Sequence, residues 1–425
     1  MNIQKIIDEL QGCPCGRKHG NDIRAVEIGE GLLAKTAGIL KANGFPMKIL
    51  VVADKNTLKA SDGILEYLES GGFDCSLKLY NDLRVADMRD VEEITALCAD
   101  FGGVLSVGSG SLNDICRLAA FRADKAFAIF ATAPSMDGFA SDASPIADGC
   151  FKSSYPARSP QIIIGDTNIL AAAPKELKSS GFGDMIAKYV AIVDWKVAHL
   201  TIGEYYCENV ARLTRDAVER IASMADSVTE NDPKTAGAIM EALVMTGIGM
   251  SFTNNSRPAS GAEHFMSHFW EIKKLEKGEL SDFHGKKVGV ATLLTAKIYH
   301  QLITGNVDFL EDTTDWDEVY EVYGENFIGD IKRLNNPTVT AETNPDVLRN
   351  VWAEICEVVR TELPSYEEML DLMHRAEAAT AYDAIGVSEE MCVNGMKYHS
   401  YMRHRMTLTR LIPMLAKEFD YSAMI

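Results

Sequence analysis

Three of the nine histidines, His264, His268 and His284, fall in one short stretch of a 425-residue chain. His264 and His268 are four residues apart, so on a helix they share one face. Neutral imidazole is a common ligand for zinc or nickel. Upstream, Gly181-Phe182-Gly183-Asp184 offers a carboxylate that can complete a metal set. On spacing alone Asp184 reads first as an acid at the start of a helix, where it complements the helix dipole. The metal reading gains from the clustering of the three histidines.

Two loops suit a phosphate-bearing ligand. Val107-Gly108-Ser109-Gly110-Ser111-Leu112-Asn113-Asp114 follows a predicted strand and opens a predicted helix. Glycines there let backbone approach a ligand, and helix N-terminal amides favour phosphate. Asn113 stands where the last glycine of a G-x-G-x-x-G fingerprint belongs, so a plain strand–helix turn competes equally. Ala131-Thr132-Ala133-Pro134-Ser135-Met136-Asp137-Gly138-Phe139-Ala140-Ser141 also follows a strand. Thr132, Ser135 and Ser141 offer hydroxyls, and Asp137 can accept from a polyol hydroxyl. The competing reading is a capping loop in which Ser135 and Asp137 start a helix.

Such loops need a sheet beneath them. Lys48–Ala53, Gly103–Val107, Ala126–Phe130 and Gln161–Ile164 are short apolar runs separated by helical stretches. That pattern predicts buried parallel strands in an α/β sheet. After about Asp166 long helical stretches dominate, such as 184–200 and 204–228, with breaks at Asn231-Asp232-Pro233 and Asn335-Asn336-Pro337. The expected fold is an α/β domain with a parallel, Rossmann-like sheet over residues 1–170. An all-α domain follows over 171–425, with a ligand cleft between the two.

Composition narrows the function classes. A net charge of -19 opposes a nucleic-acid face and attraction to an anionic membrane. An anionic substrate then needs a local basic patch. The first ten residues carry no signal-peptide pattern, and no apolar run of eighteen or more appears, so the expectation is a cytoplasmic chain without a membrane span. Nine cysteines, mostly isolated, read as reduced thiols. Cys13-Pro14-Cys15 with His19 can be half of a zinc site, but no second cysteine pair lies close in sequence, and the plain reading is an N-terminal loop.

Together the motifs resemble one family. G-S-G-S-x-x-D, T-A-P-S-M-D-G-x-A-S, G-F-G-D, S-R-P-A-S-G-x-E-H-x-x-S-H-F-W-E and H-G-x-K-V-G-V occur in that order. They are similar to those of the bacterial sn-glycerol-1-phosphate dehydrogenases, in the superfamily of iron-containing alcohol dehydrogenases, glycerol dehydrogenases and dehydroquinate synthases. With Asp54 the matching positions span residues 54–290. The N-terminal Cys-x-Cys-Gly-x-x-His is similar to bacterial members too. One departure is Ser109 between Gly108 and Gly110, where adjacent glycines are common; serine is small and leaves the amides available.

The resemblance implies roles. Asp184, His264 and His284 match metal ligands for one divalent ion, zinc or nickel, with iron in related enzymes. Asp54 matches a contact near the adenosine ribose of NAD or NADP. Gly110, Ser111 and Asp114 match the pyrophosphate loop, and Thr132, Ser135 and Ser141 further cofactor contacts. Asp137, His268 and Asp184 match substrate-contacting positions, with Asp184 and His268 catalytic. Arg257, and Lys286 or Lys287, flank the ligands and are candidates for a substrate phosphate, Arg257 first. The implied reaction is reversible NAD(P)H-dependent reduction of a phosphorylated triose, dihydroxyacetone phosphate, to sn-glycerol 1-phosphate, by a homodimer or higher homo-oligomer. The rivals are a glycerol dehydrogenase acting on unphosphorylated polyols and a non-catalytic nucleotide-binding relative. Dehydroquinate synthase fits less well, because its G-H-T-F-G-H stretch is replaced by residues 262–268.

Overall fold

The computed structural model describes residues 3–149 and 151–425. Its strands are β1 (Ala25–Gly29), β2 (Lys48–Asp54), β3 (Asp74–Tyr80), β4 (Gly103–Gly108), β5 (Ala126–Ala131), β6 (Ala143–Asp148), β7 (Phe151–Pro156) and β8 (Ile162–Asp166). Six form one parallel sheet in the order β1-β8-β5-β4-β2-β3. The four apolar runs of the sequence are its four inner strands. Side chains alternate between faces. Val51, Leu105, Ala128 and Ile162 sit side by side in register and pack with one core; Val52, Val104, Ile129 and Ile163 point to the other. Both faces are covered, as a parallel sheet requires.

The edge strands and the β6–β7 antiparallel hairpin did not stand out in the sequence. β3 is Asp-Cys-Ser-Leu-Lys-Leu-Tyr and none of its residues is fully buried, so it lacks an apolar run. The chain leaves β2 for β3 on one side and then places β4, β5 and β8 on the other. The strand order therefore reverses between β2 and β4, and the carboxyl ends there, Asp54 and Gly108, mark the switch point where open α/β sheets bind ligands.

Beyond β8 the described chain is helical. A large core joins Phe182, Met185 and Val190 to Phe265, Phe269, Trp270, Val290 and Leu293. Asp232 caps the helix Pro233–Thr253, with Pro233 in its first turn. That helix is long and apolar enough by composition to cross a membrane, but 89% of its most apolar window is buried inside the fold.

Glycines set how two helices meet. A Cβ on Gly285 would lie 1.9 Å from the Ser180 carbonyl oxygen, and one on Gly183 would lie 2.5 Å from the Gly285 carbonyl oxygen. The helices Lys175–Ile186 and His284–Leu302 thus touch backbone to backbone. A Cβ on Gly181 would lie 1.9 Å from the Pro134 carbonyl oxygen, so the loop after β5 also presses onto the first of these helices. Gly-Phe-Gly-Asp and His-Gly are where the sheet's carboxyl edge and two helices converge.

Candidate active site

The convergence brings Asp184, His264 and His284 together: their ligand atoms all lie within 4.8 Å of one another. Asp184 is not at a helix start. It lies in the last turn of Lys175–Ile186, fully buried, and caps nothing. His264 lies in the first turn of Ala262–Glu276, and His284 opens His284–Leu302. His264 Nε2 is 3.5 Å from Asp184 Oδ1. About 3.4 Å is the edge expected between oxygen and nitrogen ligands of a tetrahedral zinc. The other ring nitrogen, Nδ1, lies 2.6 Å from Glu263 Oε1, which also accepts from the Gly261 amide at 2.8 Å. A carboxylate behind Nδ1 holds the proton there and leaves Nε2 facing Asp184.

The electrostatics favour a cation. Asp137, Asp184 and Glu263 are buried acids, and among them Lys188 is the buried amine. Lys188 Nζ donates to Asp137 Oδ2 at 2.6 Å, to Asp184 Oδ1 at 2.9 Å and to the Ala259 carbonyl at 3.1 Å. Three buried carboxylates against one ammonium leave negative charge that a divalent ion would balance. Burial acts to push Asp184 up, but Lys188, His264 and His284 outweigh it and hold the carboxyl well below its usual range. Burial acts to lower His264, but Asp184 and Glu263 outweigh it and raise the imidazole to about 9. Such strong proton affinity marks a place that attracts positive charge. The residues present fit a divalent metal.

His268 lies one turn beyond His264, with ring centroids 6.4 Å apart, and 5.8 Å from His284. Its Nδ1 is 3.2 Å from Glu271 Oε2. Burial pushes it down to about 3, so the ring is neutral at ordinary pH. Glu271 also pairs with Lys152 of β7 at 3.0 Å and with Lys287 at 3.5 Å. The Arg403 guanidinium donates to the Lys152 carbonyl at 3.4 Å. A cationic patch therefore adjoins His268 inside an acidic protein.

At the sheet's carboxyl edge, the helix Gly110–Arg122 starts behind Ser109, whose side chain does not cap it. The first-turn amides at Gly110, Ser111 and Leu112 thus have no side-chain cap. Asn113 in the third-glycine position accepts from Ser106 Oγ at 2.7 Å and ties the helix to β4. Asp114 is buried against Arg117 at 2.8 Å, and Arg117 also donates to the carbonyls of Gly138, Phe139 and Ala143. Asp114 therefore holds the neighbouring loop through Arg117. Asp54 ends β2 and caps the next helix, accepting from the Asn56 and Thr57 amides. Thr132 and Ser135 are buried along the loop after β5, and the Ser135 carbonyl accepts from Ser180 at 3.0 Å. Ser141 Oγ turns to the Ala143 carbonyl at 3.0 Å. Asp137 does not cap a helix through its side chain. Its amide donates to Asp184 Oδ2 at 2.8 Å, joining this loop to the cluster of Asp184, His264 and His284.

The pattern of the iron-containing alcohol dehydrogenase family matches residues 27–174. The chain is 32% identical over 294 residues to the glycerol-1-phosphate dehydrogenase [NAD(P)+] of Halalkalibacterium halodurans, covering 68% of this chain and 73% of that one. It is 31% identical over 278 residues to the enzyme of that name from Pyrococcus furiosus, covering 65% and 78%. The chain belongs to the glycerol-1-phosphate dehydrogenase family. The Geobacillus stearothermophilus member aligns along 96% of both chains at 27% identity. Among solved structures, the glycerol dehydrogenase of Schizosaccharomyces pombe superposes with a TM-score of 0.62 at 16% identity, over 96% of this chain and 89% of that one. The NADH-dependent butanol dehydrogenase A of Thermotoga maritima does so at 0.62 and 12%, over 95% and 96%. These two share the fold of this family member.

Several charged residues of this glycerol-1-phosphate dehydrogenase relative depart from the sequence reading or refine it. Arg257 is fully buried, with Nε and Nη2 given to Glu204 and Nη1 to the Met406 carbonyl at 2.7 Å. Its donors are committed, so it makes a poor phosphate seat. Lys286 pairs with Asp282 at 2.8 Å, and Lys287 is the lysine that reaches Glu271. Lys188 was missed, although its signal is plain: it is the charged residue within the apolar run 185–193, one turn from Asp184. Lys152 and Arg403 had no local signal, because they reach the site from the hairpin and from near the C-terminus.

Proposed function

We propose that this chain catalyses the reversible NAD(P)H-dependent reduction of dihydroxyacetone phosphate to sn-glycerol 1-phosphate. The observation that carries the reading is the Asp137 amide bonded to Asp184. It joins the nucleotide-type edge of the sheet to the metal-type ligand set, so a cofactor on one reaches a carbonyl on the other. The names of the relatives support both the phosphorylated alcohol and the use of NAD(P). Oxidation of glycerol 1-phosphate at its secondary carbon gives dihydroxyacetone phosphate.

In this reading residues 1–170 hold the nucleotide, and 171–425 hold metal and substrate. Asp54 faces the ribose, Gly110 and Ser111 offer amides to pyrophosphate, and Thr132, Ser135 and Ser141 line the cofactor path. Asp114 acts through Arg117 to shape that path. Asp184, His264 and His284 hold one zinc or nickel ion. When bound, the ion supplies Lewis acidity at the ketone and the nicotinamide supplies hydride. Glu263 fixes the His264 tautomer. Lys188 fixes the Asp184 and Asp137 carboxylates. Asp137 and neutral His268 receive the substrate hydroxyls, and His268 passes a proton. Lys152, Lys287 and Arg403 hold the phosphate in place of Arg257. The reductant and triose phosphates are cytoplasmic compounds, so that is the proposed location, and a homodimer the proposed assembly.

The test is turnover of dihydroxyacetone phosphate against dihydroxyacetone, with NADH and with NADPH, alongside elemental analysis of the protein. Preference for the phosphorylated ketone by a metal-loaded enzyme is expected. Faster turnover of the unphosphorylated ketone would move the reading to a polyol dehydrogenase.

A further inference from the structure

A second ligand cluster lies apart from the Asp184 set. Cys13, Cys15, His19 and Cys207 bring four donor atoms within 4.8 Å of one another. Local turns and distant packing both contribute. The Gly16 amide donates to the Cys13 carbonyl at 3.1 Å, with Gly16 at φ +77, and this turn folds Cys15 and His19 back beside Cys13. Cys207 immediately precedes the helix Glu208–Ala222. It reaches the N-terminal turn from across 188 residues of sequence.

The distances suit one ion. Cys13 Sγ is 3.6 Å from Cys207 Sγ. His19 Nε2 is 3.2 Å from Cys15 Sγ and 3.7 Å from Cys207 Sγ. A tetrahedral zinc with ordinary Zn–S and Zn–N bonds places its sulfurs about 3.8 Å apart and sulfur and nitrogen about 3.6 Å apart. A disulfide needs sulfurs at about 2.05 Å and would leave a thiol and an imidazole over.

The surroundings are arranged for the charged ligands. His19 Nδ1 donates a hydrogen bond to the Phe252 carbonyl at 3.0 Å, since a carbonyl can only accept, so Nε2 presents a lone pair to the sulfurs. Tyr205 Oη donates to Cys15 Sγ at 3.3 Å and Asn209 Nδ2 to Cys13 Sγ at 3.2 Å. Arg17 stacks over the Tyr205 ring, 3.6 Å from its centroid, and adds positive charge beside the sulfurs. His19 and Cys207 are buried.

We propose that Cys13, Cys15, His19 and Cys207 bind one zinc ion in a closed, four-ligand structural site. Three thiolates and one imidazole in a tetrahedron select zinc over the harder divalent ions. With all four positions filled by protein, the ion does no chemistry on substrate. It fastens the segment ahead of β1 to the helices that begin at Cys207 and end near Phe252. The inference does not depend on the proposed reaction.

The test separates the two sites. The double variant His264→Ala/His284→Ala, purified with reduced thiols, should retain one zinc per chain by elemental analysis. Adding Cys15→Ser and Cys207→Ser should remove it. Cobalt exchanged into the unsubstituted protein should give an intense thiolate-to-cobalt charge-transfer band, which Asp184, His264 and His284 cannot produce because they contain no sulfur. That reading needs no cysteine variant to fold. A double variant without zinc, a cobalt spectrum without the band, zinc that survives loss of Cys15 and Cys207, or a Cys13–Cys207 disulfide found by mass spectrometry would each overturn the proposal.

Discussion

Asp184, His264 and His284 come from three helices, whereas Cys13, Cys15 and His19 come from one short turn met by Cys207. The first set has one carboxylate and two imidazoles and sits beside neutral His268 and a cationic patch. In the proposed reading its three ligands would leave a position free for substrate. The second has four ligands, three of them sulfur, backed by Tyr205, Asn209 and the Phe252 carbonyl. In that reading, ligand number and softness would divide one chain's metal chemistry into a reactive open site and an inert closed one. The supporting contacts differ in kind. Behind the open site stands an acid, Glu263; behind the closed one stand neutral Tyr205 and Asn209 donors and the Phe252 carbonyl, with Arg17 stacked on Tyr205.

The hardest way to break the comparison is to remove a ligand from the open site. His264→Ala should remove its metal and, with it, several kcal/mol of transition-state stabilisation, about 10³-fold or more in kcat/KM. The cysteine-bound zinc should stay. Elemental analysis with an activity assay in metal-free buffer checks both halves. Turnover near that of the parent would remove the metal from the mechanism.

How the two clusters read from sequence also differs. His264, His268 and His284 announced themselves by proximity, and the inner strands by uninterrupted apolar runs such as Ile49–Ala53. Edge strands β1 and β3 carry polar residues on exposed faces and offered no run. Cys13, Cys15 and His19 were visible as half a site, but their fourth ligand is long-range, and nothing near Cys207 points to it. Read from the sequence, Asp184 starts a helix just after Gly181 and Gly183. They instead lie inside a helix, since Pro134 and Gly285 press too close for a side chain. Arg257 sat beside the motif in sequence but spends its charge on Glu204, a partner fifty-three positions away. Contacts over long separations were what the chain did not disclose.

Those glycines give the next test. Gly285→Ala places a Cβ against the Ser180 carbonyl, at a backbone contact that cannot yield as a side chain can. The two helices must separate, which costs about 1–3 kcal/mol. A shift of about 1 Å between Asp184 and His284 should lower kcat by about 10²-fold. Thermal melts and kinetics would register this, while zinc at the cysteine cluster should be unchanged. An alanine variant with parental kinetics would mean that the helix contact does not set the ligand geometry.

Glu263→Gln keeps the shape but removes the negative charge behind His264 Nδ1. Loss of such a partner typically weakens metal binding by about 10–100-fold. Metal titration of the stripped protein measures this directly, with activity recovering at high metal concentration. An unchanged affinity would mean that Glu263 serves only the Gly261 amide.

Tyr205→Phe is the matching change at the closed site and should be the mildest. It deletes one neutral hydrogen bond to Cys15 Sγ and leaves the ring under Arg17. Such a bond is worth about 0.5–1.5 kcal/mol net, about twofold to tenfold in affinity. Zinc transfer to a competing chelator should accelerate by that factor, with kcat and KM untouched because the closed site meets no substrate. If Tyr205→Phe instead lowered kcat as much as Glu263→Gln weakens metal binding, the cysteine cluster would be coupled to the chemistry. The division between a reactive site and a fastening site would then fail.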